Sequence, residues 1–257
     1  MYKFLLSPKW LGFHLLCVVT IGGMVTAGFW QLGRYQDRQD FKTEVQQRTD
    51  ADIVPFSTLV DQAPADIEWR RVEATGTYVE GKDFEVVNVS QGGASGHDAV
   101  SGLQLADGSV LIVNRGFLPG ADELPAAPSG EVTVLGRVRQ SQSAGIGKPS
   151  DDGTQQLTQI RRVDLQALSQ QFDQTVQPVY LDLLESSPAE ADGMTAIAFP
   201  DLDGGPPHLS YTIQWFIFSV AVIVGWVLAV RKSINDRSGK PKKRKIPPID
   251  ESYASTG

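Results

Sequence analysis

Two uncharged stretches dominate the alternation of apolar and polar positions. One runs from Trp10 to Leu32, 23 residues, and the other from Leu209 to Val230, 22 residues. At about 1.5 Å of rise per residue, each covers the roughly 30 Å hydrocarbon core of a bilayer, so the pattern predicts two membrane-spanning helices. The first is span-length, not the ~7–15 apolar residues of a signal peptide. It is bracketed by Trp10 at one interface and Phe29-Trp30 at the other, which predicts an uncleaved anchor. Residues 33–48 read as a charged continuation of that helix, with Arg34, Arg38 and Lys42 interleaved with Asp37, Asp40 and Glu44. That stretch is either a solvated helix face or a basic collar, led by Arg34, turned toward an anionic group at the membrane surface.

From residue 69 the period changes to that of strands. Arg71–Val79, Phe84–Ser90, Ala99–Leu105, Val110–Arg115, Val132–Arg139 and Val176–Leu184 are short runs of alternating or β-branched character. Turn signals separate the earlier runs at Glu80-Gly81, Gly92-Gly93, Asp107-Gly108 and Ser129-Gly130, of which Asp107-Gly108 is the strongest hairpin signal. Residues 140–156 read as a flexible loop, and Val163–Phe172 as a short helix with Leu165, Leu168 and Phe172 on one side. Residues 186–207, with four prolines, read as a loop returning to the membrane.

The fold expected is an α+β membrane protein: two transmembrane helices flanking one extracytoplasmic, mainly antiparallel β domain with a few helices. Its parts are residues 1–9, a cytoplasmic N-terminus; 10–32, the first span; 33–208, the β-rich domain; 209–230, the second span; and 231–257, a basic tail expected to be disordered.

Charge fixes the orientation. Residues 33–208 carry 13 Lys and Arg against 27 Asp and Glu, a net of −14, whereas the two ends together carry +7. Eight basic residues follow Val230. Basic ends around an acidic middle predict a multi-pass protein of the plasma membrane with both termini cytoplasmic. The acidic middle also argues against nucleic acid as a partner, since phosphate binding needs a basic surface. The single cysteine, Cys17, lies in the first span. This excludes an intramolecular disulfide and the Cys-x-x-Cys chemistry of copper carriers and thiol oxidoreductases.

The three histidines are His14, His97 and His208. His97 and Asp98 sit beside Ser95 in a glycine-rich stretch read as a loop; neighbours on a turn point apart, so they do not make a hydrolytic triad. His14 lies one turn inside the cytoplasmic end of the first span, where it can snorkel or bond a neighbouring helix. His208 lies at the outer mouth of the second span, ahead of Tyr211 and Trp215, and across from Trp30, Gln31 and Arg34 if the helices pair. A neutral imidazole beside aromatics and a guanidinium suits a haem iron and its propionates; equally, His208 is an interfacial residue in an aromatic belt. No triad, metal cluster or thiol pair points to an enzyme.

Several motifs carry a resemblance. Gly28-Phe29-Trp30-Gln31-Leu32-Gly33-Arg34, then Arg71-Val72 with Gly76-Thr77-Tyr78, Gly93 and Gly96, Val113-Asn114-Arg115-Gly116, and His208-Leu209-Ser210-Tyr211 with Trp215 together resemble the Surfeit-locus family of cytochrome c oxidase assembly factors. Phe117 stands where that family usually has Trp, and Pro207 where Asn is common. The resemblance implies a two-span factor that assists haem a insertion into, or stabilises, the catalytic subunit of an aa3-type oxidase. Haem a would be held transiently through His208, with Arg34, Gln31, Trp30, Tyr211 and Trp215 around it, and membrane lipid would surround the helices. Arg115 is then structural or partner-facing. An alternative is a non-catalytic accessory subunit or association factor of a respiratory (cytochrome bc-aa3) supercomplex.

Overall fold

A computed structural model describes residues 2–120, 123–145 and 149–238. The expected disordered tail beyond 238 and the centre of the 140–156 loop lie outside the described residues. The chain forms two compact units, one drawn from the residues up to Gln39 together with those from Gly205 on, the other Asp40–Gly204.

The first unit holds the apolar helices. Helix α1 runs Pro8–Asp50, so the charged continuation is helical, and its last turns belong to the second unit. The helix that closes the described chain, α4 in chain order, runs His208–Arg237. Both carry windows apolar enough to cross a membrane and almost none of either window is buried. Leu15, Val19, Phe29, Ile213, Ile217 and Leu228 all lie exposed. A row of such side chains cannot face water without penalty, and with span length it makes the chain a membrane protein.

The two helices run antiparallel along a seam. On α1 the covered positions His14, Cys17, Ile21, Met24, Gly28, Gln31, Tyr35 and Arg38 recur at alternating steps of three and four. On α4, His208, Thr212, Trp215, Ser219, Val222 and Trp226 do the same. This is the heptad spacing of coiled helices. Small residues let the backbones approach: Gly28 faces the Phe216 ring, and Thr212 and Ser219, both buried, turn their hydroxyls back onto the carbonyls of His208 and Trp215 at 2.9 Å.

The second unit is a β domain. Its strands are β1 Val54–Pro55, β2 Arg71–Gln91, β3 Ala94–Leu105, β4 Val110–Pro119, β5 Glu131–Gln140, β6 Gln159–Ile160 and β7 Val176–Ser187. The pairings β2–β3, β3–β4, β4–β7, β7–β5 and β5–β2 return to their starting strand, so five strands close into a barrel. Closure removes the exposed edges that an open sheet would leave. All five strands send residues into one interior cluster, including Val72, Leu103, Val113, Val134 and Leu181; Phe56 and Ile67 join it from the segment between α1 and β2. Opposite faces of β2, β3, β4 and β7 form a second cluster with Phe84, Val100, Ile112 and Tyr180, covered by Ile160, Leu168 and Phe172. β4 is thus buried on both faces.

Two expectations change. Glu80-Gly81 does not end a strand: β2 runs on as one 21-residue strand with register shifts at Tyr78/Asp83 and Val86/Val89, where Gly81 and Asn88 take left-handed φ values of 69° and 62°. Bulges bend a strand without ending it, and this bend lets β2 serve both β5 and β3. The pairing is mainly antiparallel, as expected, while β4 and β7 run parallel, as do β1 and β6 with β2. The expected helix over Val163–Phe172 shortens to α3, Leu165–Ser169, capped by Asp164, whose Oδ1 accepts from Gln166 N at 3.0 Å. The other short helix, α2, is Pro64–Ile67. The Asp107-Gly108 turn forms as expected, with Gly108 at φ 82° and Asp107 Oδ1 accepting from Ser109 N at 2.9 Å.

His97 and Asp98 lie on β3 itself, not on a loop, and both are buried. Asn114 Nδ2 donates to Asp98 Oδ2 at 3.2 Å, but Asp98 Oδ1 and Asn114 Oδ1 are buried and unpartnered. Burial first, then the nearby Asp182 carboxylate, pushes the Asp98 carboxyl up to about 6 despite the Asn114 bond that opposes the rise. A proton on Asp98 supplies the donor this cluster lacks. Because the folded value lies above the ordinary 3.8, that stabilisation is fully present below pH 3.8 and is lost as pH rises through 6. Asp98→Asn should therefore stabilise the protein at pH 7.5 by about 2 kcal/mol and have little effect at pH 4. Thermal melts of both proteins across pH 4–7.5 check this. A stability difference that stays constant with pH would refute the assignment.

Candidate functional site

The helix seam carries a polar pair near each end. At the α4 N-terminus, His208 Nδ1 lies 2.8 Å from Gln31 Oε1. The amide oxygen only accepts, so a neutral His208 puts its proton on Nδ1 and keeps the lone pair on Nε2. A partner that fixes the far nitrogen in this way is the usual support of a metal-ligating histidine. At the other end the polarity is reversed: Trp226 Nε1 donates to His14 Nδ1 at 2.8 Å. That bond places the proton of neutral His14 on Nε2 and spends its lone pair on the indole. Of the two seam histidines, only His208 presents an unspent lone pair on its outer nitrogen.

His208 and Gln31 are therefore brought together, as the paired-helix reading expects, and His14 bonds its neighbouring helix. The other expected neighbours stand elsewhere. Trp30, one residue and about 100° around α1 from Gln31, is 60% exposed. Arg34 is exposed and its nearest carboxylate is Asp37 on its own helix at 3.9 Å. Tyr211 is exposed, and Trp215, on the seam, packs edge-on to Phe218 at 6.3 Å. The basic residue on the seam is Arg38, seven positions and nearly two turns beyond Gln31. The signal for it in the sequence is the 3-4 recurrence from Gly28 and Gln31, not proximity to the Trp-Gln motif.

For a haem of the kind the resemblance implies, the donor chemistry fits a single imidazole: His208, oriented by Gln31, would hold the iron. Trp30 and Arg34 do not line the same face. Among the described residues, no group of three His, Cys, Asp or Glu side chains could hold a metal ion.

Arg115 is not partner-facing. It is 2% exposed, on β4, and its Nε and Nη2 donate to Glu190 Oε2 at 3.0 and 2.7 Å. Further bonds reach Pro125 O and Ala126 O at 3.1 Å, and the guanidinium stands 5.7 Å from the Tyr78 ring. Its charge is spent on closing the domain: it pins the segment after β7, which is bridged again where Phe117 and Thr195 exchange backbone bonds at 2.8 and 2.9 Å. Burial raises the Tyr78 hydroxyl, with Glu190 reinforcing the shift and Arg115 opposing it, so the ring packs as a neutral phenol.

Comparison with known proteins agrees with the motifs. The model of the SURF1 family matches residues 18–220. An uncharacterized SURF1-like protein of Mycobacterium bovis is 28% identical, over 98% of this chain and 96% of its own length. SURF1-like proteins of Monosiga brevicollis and Rickettsia felis are 29% and 21% identical, each over 86% of this chain and over 87% and 98% of their own. With two apolar helices paired about Gln31 and His208, and in keeping with a part in cytochrome oxidase assembly, the chain belongs to the SURF1 family.

Proposed function

We propose that this protein is an assembly factor for an aa3-type cytochrome c oxidase, without catalytic activity of its own. It would hold haem a transiently at the outer mouth of its helix pair and assist its insertion into, or stabilise, the catalytic subunit. The observation that carries the reading is the His208–Gln31 bond at 2.8 Å. It joins the two apolar helices, lies within the family match, and leaves the histidine in the tautomer that can ligate iron. The partition of charge, with basic residues at both ends and an acidic domain between, supports a plasma-membrane protein with both termini in the cytoplasm. That orientation puts His208 at the outer leaflet, where haem would pass sideways to the oxidase.

The test is spectral. Detergent-purified protein from cells making haem a should show a Soret band, and His208→Ala should lose at least nine-tenths of it while keeping the thermal stability of the domain. Wild-type protein purified from such cells without a Soret band would sink the haem reading. If it then co-purified in stoichiometric amount with oxidase subunits whether or not His208 was present, the protein would be an accessory subunit or association factor of a bc-aa3 supercomplex.

A further inference from the structure

Two contacts between the helices set the levels at the His14 end of the seam. Trp226 of α4 bonds His14 of α1, and farther out the Arg237 guanidinium stands 3.7 Å from the centre of the Phe4 ring. Between these rungs, five residues outward from His14 and five outward from Trp226, lie Lys9 and Arg231, about 7.5 Å beyond the first rung along either helix. Trp10 and Trp226 meet there through the His14 ring at 5.5 Å on each side, and Val230 is the last residue of the uncharged run. Paired indoles and the first charges after a span mark the boundary between hydrocarbon and headgroups. Beyond that boundary the described residues include Lys3, Lys9, Arg231, Lys232 and Arg237 against the single acid Asp236. Arg237 is spent on the Phe4 ring. Arg231 is exposed and has neither a hydrogen bond nor an ion pair with any described residue.

Arg231 closes a groove of about 340 Å³ whose other walls are Trp226, Val227 and Val230. Their spacing of one, four and five residues from Trp226 sets all four on one face of α4. The groove is therefore apolar along the span and cationic at its outer end. We propose that it binds an anionic phospholipid, with Arg231 on the headgroup phosphate and an acyl chain along Trp226, Val227 and Val230. A free anion would gain nothing from three apolar walls, and a hydrocarbon chain nothing from a guanidinium; a phospholipid uses both. The planar fork of Arg231 matches a phosphate, and the excess of basic over acidic side chains at this level selects a headgroup of net negative charge over a zwitterionic one. The site is independent of the haem reading and lies at the opposite end of the seam from His208.

The experiment titrates the delipidated full chain, in a non-ionic detergent, with phosphatidylglycerol brominated on its acyl chains and, separately, with brominated phosphatidylcholine. Bromine quenches tryptophan fluorescence on contact, so a chain seated against Trp226 is read directly. Phosphatidylglycerol should half-saturate the quenching at a concentration about 5- to 10-fold below phosphatidylcholine, the worth of one basic side chain at a membrane surface. Arg231→Gln, at an exposed residue with no partner to lose, should keep the helix content and bring the two curves together. Trp226→Phe should lose most of the quenching. Lys232→Gln, about 100° farther around α4, should shift the phosphatidylglycerol curve far less than Arg231→Gln does. Excess inorganic phosphate should not reverse the quenching. If wild type binds the two lipids alike, if Lys232→Gln costs as much as Arg231→Gln, or if Trp226→Phe is quenched as fully as wild type, the attraction is general and the proposal falls. Reversal by inorganic phosphate would make Arg231 a site for a free anion and overturn it as well.

Discussion

Arg115→Ala should destabilise the protein by about 3–5 kcal/mol, the usual cost of breaking a buried ion pair by removing one partner. The guanidinium is completely buried and Glu190 is only 12% exposed. With Arg115 gone, Glu190 is left unpaired with little access to water, Asp83 loses a cation 3.7 Å away, and the carbonyls of Pro125 and Ala126 lose their donors. In a domain of this size each kcal/mol lowers Tm by about 2–4 °C, so a fall of about 6–20 °C is expected. The energy lost is mostly the penalty on the partners left behind, not the attraction removed. Replacing both charges by apolar side chains, Arg115→Met with Glu190→Leu, should therefore recover at least half of the loss. Thermal melts of the solubilised full chain decide it. A single mutant that melts within about 2 °C of wild type would show that the pair contributes little to holding the segment after β7 on the barrel.

Arg115 also shows where sequence reading stops. A charge followed by glycine looks like a strand end, and the residue that neutralises this one, Glu190, lies 75 positions away. Strand β4 instead runs on to Pro119. The two spans, the hairpin at Asp107-Gly108 and most of the strands are legible because local signals specify them: length without charge, turn chemistry and period-two alternation. Barrel closure is not local. Nothing in Arg71–Thr77 announces that it will pair with Glu131–Arg137. In the candidate site the histidine and Gln31 are legible as a motif, whereas helical phase carries Trp30 and Arg34 away from them. On a helix apolar all round, composition does not reveal which line faces the partner. The small residues Gly28, Thr212 and Ser219 mark that line, and extending it from Gln31 by one heptad reaches Arg38.

Gly96→Ala should be as damaging as the loss of Arg115, for a steric reason with no electrostatic part. Gly96 lies in β3 without a left-handed φ, so the backbone itself would accept alanine. The space would not: a Cβ there falls 2.1 Å from Leu118 O and 2.9 Å from two atoms of the Phe117 ring. A flexible ring can turn aside, but a carbonyl held in the β3–β4 ladder cannot, and the two strands must separate where Gly96 pairs with Pro119 and His97 with Leu118. Phe117 is also bound on its other side to Thr195. Overpacking of this kind, with the ladder disturbed, is expected to cost about 3 kcal/mol or more. Gly92 is the opposite case and the proper control. It has φ 61° and nothing within 4 Å of a Cβ, so Gly92→Ala should cost only about 1–2 kcal/mol of backbone strain, and Gly92→Asn, which tolerates that conformation, less still. Trimming the ring with Phe117→Leu should not rescue Gly96→Ala, because the obstructing atom is Leu118 O. Melting the four single mutants and the Gly96→Ala, Phe117→Leu double mutant side by side tests the account. Equal losses at Gly92 and Gly96 would refute the steric account, and recovery through Phe117→Leu would mean that the ring and not the carbonyl sets the requirement for glycine.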